Sequence, residues 1–318
     1  MSADDPNSPA RRAWIKRGLQ VALEVLIVGY LVYYFSTQAD KLERVLSLRL
    51  SDAAALIGLG LVGIVLRSWE LGYLVGRLGG RIPYWQAASL TMGCTLLNYL
   101  PMNAGMIVKA RVLKKHVGVQ YAHFVSLTAG QLLITVMGGA SLGLIVLGLS
   151  WGTSPTGRWA VAGIFAAALA GCLAAFHTPA SSIAKGSGWV RTALRDFLDG
   201  LESIRRRRGG VLLLLLLSYV KLLVLAVKFR ICFSVLGVEA TFLACVVLAV
   251  LAVFTTLVAI TPAGLGVREV LVGLTAAITG LSFEFGVTAA ALDRVLITAT
   301  NLVCGVAGLA ILRAKKVL

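Results

Sequence analysis

The chain has 318 residues, of which 58% are hydrophobic and only 14% are charged. A soluble domain is typically about a quarter charged and less than half apolar, so the composition excludes an ordinary water-soluble protein and indicates a polytopic membrane protein. The formal net charge of +16 would suggest nucleic acid as the partner of a soluble chain. Because cytoplasmic loops of membrane proteins collect Lys and Arg, we predict no nucleic-acid partner here.

The first 18 residues are polar and lack the apolar core and cleavage site of a signal peptide. We expect them to form a cytoplasmic tail, and residues 19–318 to form one transmembrane domain. A spanning helix needs about 20 mostly apolar residues. Six segments come close to or exceed that length and predict full spans: 19–35, 53–75, 119–149, 159–176, 211–227 and 287–312.

Two further apolar regions, 87–109 and 242–280, are interrupted by helix-breaking residues. The first contains Pro101 and Gly105, and the second contains Pro262 and Gly266. Proline removes a backbone donor and clashes with the preceding helical turn, so each region is expected to be a broken helix or a re-entrant hairpin. The predicted fold is therefore all-α, with six spans and two broken hairpins.

The basic residues predict the orientation of these spans. When the segments between spans are assigned alternately to the two sides, twenty of the 30 Lys and Arg fall on the side of the N-terminus and six on the other. Basic residues favour the cytoplasmic side, so both termini are expected to be cytoplasmic. The membrane is expected to be the inner (plasma) membrane of a bacterium.

The two halves of the chain have a similar layout. Residues 19–149 and 159–312 each read as span, span, broken hairpin and span, and Pro101 and Pro262 lie about half a chain length apart. An odd number of crossings in each half would invert the second half. Inverted repeats with broken helices at the midplane are a recurrent transporter plan, and this arrangement is our hypothesis for the fold.

Residues 185–208 form a polar segment with apolar residues at helical spacing, from Val190 to Leu201. This pattern predicts an amphipathic helix on the cytoplasmic surface. The adjoining basic run at 205–208 would bind anionic lipid head groups or, as the simpler alternative, would only fix the topology.

The densest polar motif follows Pro262 and contains Gly264, Gly266, Arg268 and Glu269. Charged side chains inside a membrane helix are costly, so they are candidates for function. A helix that begins near Gly266 would direct its positive end, together with Arg268, at an anion. Glu269 would hold Arg268 in position or take up a proton. The alternative is a local Arg–Glu pair that only stabilises the turn.

The corresponding segment of the first half offers Asn98, Asn103 and Arg111 as head-group ligands. We interpret Lys109, together with Lys114 and Lys115, as following the positive-inside bias.

Other charged residues also fall in apolar segments. Arg67 and Glu70 are three residues apart and are expected to pair on one helix. Asp293 and the adjacent Arg294 are expected to find partners elsewhere, and Lys221 has no obvious local partner. Glu269 and Asp293 are our candidates for proton coupling.

No metal or cofactor site is predicted. The chain has five cysteines without a CxxC pair and three scattered histidines, so the ligand spacing of a zinc site is missing. GLGVRE is not followed by a βαβ pattern, and no Walker sequence is present.

The segments TPAGLGVRE and NYLPMNAGMIVKARVLKK, in about 300 mostly apolar residues, resemble the lysylphosphatidylglycerol synthase transmembrane-region family, also called the flippase-like domain family. The resemblance covers 17–316. Pro262, Gly264, Gly266 and Glu269 match the family's PxGxGxxE signature. In the first half, Pro101, Gly105 and Arg111 fit, whereas residues 102–104 depart from the glycine-rich form of the family.

This resemblance implies a membrane region that flips a phospholipid, which in multi-domain relatives is aminoacylated by an attached synthase. Because the chain contains no synthase domain, lysyl transfer is not implied. We therefore expect a flippase for an anionic or phosphate-bearing lipid, more a transporter than an enzyme. Two alternatives stay open: an integral-membrane enzyme acting on a lipid-linked substrate with Glu269 as base, and a non-catalytic anchor for a lipid-modifying enzyme. A homo-oligomer is compatible with each.

Overall fold

The structure, a computed structural model, describes residues 48–77, 79–99, 104–149, 156–177, 208–255, 266–315 and 317. These residues form nine α-helices and no strand. In chain order the helices are α1 (Leu50–Arg77), α2 (Tyr84–Leu97), α3 (Ala104–Val117), α4 (Tyr121–Leu149), α5 (Thr156–His177), α6 (Arg208–Val235), α7 (Phe242–Phe254), α8 (Val267–Ile278) and α9 (Phe283–Ala314).

Four of these helices are long and apolar enough to cross a membrane: α1, α4, α6 and α9. They correspond to four of the six predicted spans. The other two spans stay predictions, because 19–35 lies outside the described residues and the apolar part of α5, Trp159–Ala175, is shorter than the other four. The all-helical membrane architecture agrees with the sequence analysis.

Both interrupted regions contain two short helices where an unbroken span would need one long helix. α2 and α3 have 14 residues each, and α7 and α8 have 13 and 12. At 1.5 Å per residue each is roughly 20 Å long, which is less than the roughly 30 Å of a hydrocarbon core. Within each region the two short helices pack against each other.

The two halves of the chain pack onto each other reciprocally. α2, in the first half, packs on α1 and on α9, the last helix of the second half. α7, in the second half, packs on α6 and on α4, the last long helix before the midpoint. The long helices α1 and α6 also contact each other. Each pair of short helices is therefore held between long helices from both halves.

Glycines allow the closest of these contacts. Gly93 of α2 and Gly308 of α9 meet where a Cβ atom on Gly308 would lie 2.7 Å from the carbonyl oxygen of Ser89 and 3.0 Å from the amide nitrogen of Gly93. Small residues at such crossings let helix backbones approach each other, which is the usual way that helices associate in lipid.

The largest apolar core lies between α4, α5, α6 and α7, and it includes Phe165, Phe229, Phe233 and Leu248, none of them exposed. A smaller core at Leu90, Leu113 and Leu312 joins α2, α3 and α9. Many large apolar side chains instead point outward, such as Val65, Leu212 and Val303. An outward apolar surface is what contact with lipid tails requires, and it supports a multi-pass membrane protein.

Some predicted features lie outside the described residues. They are the cytoplasmic tail 1–18, the amphipathic segment 185–208 except its last residue, and the motif residues Pro101, Asn103, Pro262 and Gly264.

Candidate functional site

Helix α8 begins at Gly266, which is its N-cap and has φ of +80°. A positive φ is strained for residues with a side chain and readily adopted by glycine. This geometry turns the amide of Gly266 towards Glu269, whose carboxylate Oε2 accepts its hydrogen bond at 2.8 Å. The predicted helix start is therefore correct, and the first free amide of that helix is bound by a carboxylate of the same helix.

Arg268, next along α8, binds a carboxylate of a different helix. Its Nη2 lies 2.7 Å from Oδ2 of Asp293 in α9. Lys228 of α6 forms an ion pair with the other oxygen of Asp293, and the Arg268 guanidinium lies 5.8 Å from the ring centroid of Phe229. Asp293 is 1% exposed, and cations from two helices, α6 and α8, bind its carboxylate.

Arg294 completes a crossed arrangement between α8 and α9. Its Nη1 lies 2.7 Å from Oε1 of Glu269, so the adjacent residues Arg268 and Glu269 pair with the adjacent residues Asp293 and Arg294. The expectation that Glu269 holds Arg268 was wrong, because consecutive helical residues point about 100° apart and reach different partners. The expectation that Asp293 and Arg294 have separate partners is confirmed.

A second group of charges lies at the contact of α1 and α6. Lys221 donates to both carboxylate oxygens of Glu70, at 2.8 and 2.9 Å, and Glu70 is 1% exposed. The expected Arg67–Glu70 pair was wrong, since Glu70 faces α6 and the Arg67 Nε donates instead to the carbonyl of Gly63, one turn earlier, at 3.1 Å.

Arg67 and Lys109 have no ion-pair partner among the described residues. Both side chains are partly buried. Lys109 of α3 lies within electrostatic range of Arg67 and Glu70, and Arg67 lies within range of Glu70 and of Tyr99. We call Arg67, Glu70, Lys109 and Lys221 the first cluster, and Lys228, Arg268, Glu269, Asp293 and Arg294 the second cluster.

The end of α2 connects the first cluster to α9. The Tyr99 hydroxyl lies 3.1 Å from Oγ1 of Thr298 and accepts a hydrogen bond from Nδ2 of Asn301 at 3.2 Å. In the described part of the chain, the buried oxygens Oδ1 of Asn301 and Oδ1 of Asn98 have no hydrogen-bond partner. Such unpaired buried acceptors are rare, and they are expected where a ligand or water binds.

The predicted first-half residues are thus separated. Asn98 follows the last residue of α2 and contacts the start of α3, where a Cβ on Gly105 would overlap the Asn98 side chain and the Cys94 carbonyl. Arg111 is exposed on α3. Lys109 was interpreted from the sequence as a loop residue that follows the positive-inside bias. It lies instead within α3, on the same face as Gly105 and one turn later.

The two clusters share helix α6. Lys221 and Lys228 are seven residues apart, which puts them on one face about 10 Å apart. Together the clusters contain six basic side chains and three carboxylates. Most of these charges are recognisable in the sequence as costly, but Lys109, Lys228 and Asn301 were not predicted to belong to a site, because the sequence does not show which helices meet. The polar residues Tyr99, Thr298 and Asn301 in apolar helices were the available signal.

Nothing in the arrangement resembles a metal centre, since no three His, Cys, Asp or Glu side chains of the described segments lie close enough together to hold an ion.

A family model described as the lysylphosphatidylglycerol synthase TM region matches residues 21–305. No curated protein and no solved structure matches the chain. The match covers nearly all of the chain, including both clusters and both pairs of short helices.

Proposed function

Because the chain belongs to the lysylphosphatidylglycerol synthase transmembrane-region family, we propose that it is a lipid flippase that moves a phosphate-bearing lipid between the leaflets of the bacterial inner membrane. In this proposal the head group passes between the helices along the two clusters, while the acyl tails stay in the bilayer.

The observation that carries the proposal is the excess of basic side chains that lie buried or partly buried between the helices. Each unpaired charge inside a membrane helix costs at least roughly 2.5 kcal/mol on insertion scales, and the two clusters contain three more cations than carboxylates. A protein that only needed a stable core would gain by replacing such groups with apolar ones. A phosphate passing between the helices would neutralise the excess, which gives these residues a reason to be present.

The reciprocal packing of the two halves supports a structural repeat of residues 19–149 and 159–312. The odd number of crossings proposed for each half would make this repeat an inverted one, and the distribution of basic residues supports cytoplasmic termini. α2 contacts α9 of the other half, as α7 contacts α4. In transporters of this plan, the substrate binds near the membrane midplane where broken helices of the two repeats meet. Six spans and two re-entrant hairpins complete the proposed topology.

Arg268 and Arg294 would receive the phosphate during the passage. Each is now bound to a carboxylate, Asp293 and Glu269 respectively, so an arriving anion would exchange with that carboxylate. Proton uptake by Asp293 or Glu269 would favour the exchange and would couple movement to a proton gradient. Asn98, Asn103 and Arg111 of the first half, with Gly264 and Gly266 of the second, are the other proposed head-group contacts.

Reconstituted protein tests the proposal directly. Liposomes containing the protein and a trace of fluorescent phosphatidylglycerol are treated with dithionite, which quenches only the outer leaflet. We expect the fraction quenched to rise from about half towards completeness, and the rate to fall about tenfold in Arg268→Gln, which corresponds to about 1.4 kcal/mol. Lys115→Gln, which removes an exposed charge, is the matched control. Rates equal to those of protein-free liposomes across several head groups would refute the flippase.

Lipid masses from the same liposomes separate transport from chemistry. A flippase leaves every lipid mass unchanged, whereas an enzyme acting on a lipid-linked substrate produces a new mass. Absence of both transport and new masses, with a soluble transferase that co-purifies, would favour the anchoring role.

A further inference from the structure

We infer that Arg67 and Lys109, with the end of α2 and Asn301 of α9, form a phosphate-binding site selective for anionic head groups that carry hydroxyls. This inference rests on the proposed function and extends it to the place where a lipid head group binds and to the head groups that bind best.

Within the described segments, no carboxylate compensates the charges of Arg67 and Lys109. Arg67 and Lys109 lie within electrostatic range of each other, and no carboxylate of the described helices pairs with either. Among the described helices, the carboxylate within electrostatic range of both is Glu70, and Lys221 binds both of its oxygens. Two neighbouring like charges repel each other, so an anion held between them would relieve repulsion as well as desolvation.

Two amide oxygens near Tyr99, which lies within electrostatic range of Arg67, are unsatisfied in the described part of the chain. Asn301 is 6% exposed, and its Oδ1 has no partner in the described part of the chain, although its Nδ2 donates to Tyr99. Asn98 Oδ1 is likewise unpaired, one residue before Tyr99. Buried acceptors require donors, and the hydroxyls of a glycerol head group would supply them while the phosphate contacts Arg67 and Lys109.

The net positive charge of the first cluster also favours one sign of head group. The first cluster contains three cations and one carboxylate, and that carboxylate is already bound. An ammonium on the ligand would add a cation without gaining a carboxylate. The site therefore favours a phosphodiester with neutral hydroxyls, such as phosphatidylglycerol, over phosphatidylethanolamine or an aminoacylated lipid.

The second cluster has no cation available for an incoming anion in this conformation. Both Arg268 and Arg294 are bound to carboxylates, and Lys228 is bound to Asp293. An incoming anion would first have to displace one of them. The first cluster thus binds without prior rearrangement.

Binding is measured on the purified full chain in detergent, with fluorescent phosphatidylglycerol as the probe and unlabelled competitors. We expect phosphatidylglycerol to compete at least about tenfold better than phosphatidylethanolamine, and diacylglycerol, which lacks phosphate, not to compete. Competition by glycerol 3-phosphate or inorganic phosphate would identify a site that takes the free anion as well. Competition by the lipid alone would show that the tails contribute.

Arg67→Gln and Lys109→Gln are each expected to weaken probe binding about tenfold, and Lys109→Arg is expected to retain it. Lys115→Gln, on the same helix α3 and exposed, is expected to bind as the wild type does. Gel filtration and circular dichroism identify any variant that fails to fold. If a Gln variant fails to fold, probe binding by Lys109→Arg is compared with probe binding by Lys109→Met. Both substitutions retain about the length of the side chain, and only Arg retains its charge.

Equal binding by wild type and Lys109→Gln, or equal competition by phosphatidylethanolamine, would overturn the inference. The dithionite assay on the same variants distinguishes its failure from that of the proposed function. Transport that is unaffected by Arg67→Gln and Lys109→Gln would support the flippase and contradict this site. Charge-dependent binding without transport keeps the site and removes the flippase.

Discussion

At the scale of single residues, the ion pairs of the described residues join different helices. Arg268 and Glu269 are neighbours in sequence, yet they bind Asp293 and Arg294 of α9, and Lys221 binds Glu70 at a separation of 151 residues. A buried ion pair is weak evidence for stability, but removal of one partner leaves an unpaired charge and is strongly destabilising. Removal of either partner of one of these pairs is therefore expected to destabilise the fold.

The Glu70–Lys221 pair tests whether an unpaired buried charge destabilises the fold. We expect Glu70→Gln to lower the free energy of unfolding by about 3 kcal/mol, because Lys221 then stays charged and unpaired between α1 and α6. The combination Glu70→Gln with Lys221→Met is expected to recover most of the loss, since the ammonium that Glu70→Gln leaves unpaired is then removed as well. Urea unfolding in mild detergent, followed by circular dichroism, measures both.

Lys115→Gln, which removes an exposed charge from α3, is the control. A double variant as unstable as Glu70→Gln alone would contradict the explanation by an unpaired charge.

At the scale of helices, the short pairs depend on close backbone contact. Gly105 in α3 lies against the Cys94 carbonyl and the Asn98 side chain of α2, where a Cβ would overlap both. We expect Gly105→Ala to separate α2 from α3 and to lower thermal stability by several degrees, even though alanine favours helix. Gly58→Ala in α1, where a Cβ meets nothing within 4 Å, is expected to be neutral or stabilising.

Thermal unfolding in detergent, followed by tryptophan fluorescence, compares the two variants. A Gly105→Ala protein as stable as Gly58→Ala would mean that the helices adjust at no cost.

The position of these breaks could be predicted from sequence, whereas their partners could not. Proline and glycine act locally, so Pro101 with Gly105 and Pro262 with Gly266 predicted where one helix ends and another begins. Which charges meet depends on the rotation of each helix and on contacts between distant parts of the chain. Local spacing therefore favoured Arg67–Glu70, while the crossing of α1 and α6 directs Glu70 to Lys221. Lys109 was interpreted as a loop residue because the extent of α3 was not visible.

At the scale of the whole molecule, the proposed topology makes a simple prediction about the two surfaces. In a cysteine-free background, Lys115→Cys and Lys315→Cys are expected to lie on the cytoplasmic side, and Glu239→Cys on the other side. All three residues are exposed. A membrane-impermeant maleimide applied to right-side-out spheroplasts is expected to label only Glu239→Cys.

Permeabilised cells provide the control, since all three positions must then react. Labelling of Lys115→Cys and Glu239→Cys from the same side would contradict the inverted arrangement of the two halves.

The contact of α2 with α9 also has a consequence for synthesis. Tyr99 finds Thr298 only 199 residues later, and at about 5–20 residues per second the ribosome takes roughly 10–40 s to make that stretch. Throughout this time the first pair of short helices is in the membrane without the helix that covers it, and Lys109 is without its final surroundings. Helix α9 completes this contact, so a nascent chain that stalls before residue 283 would be a substrate for membrane quality control.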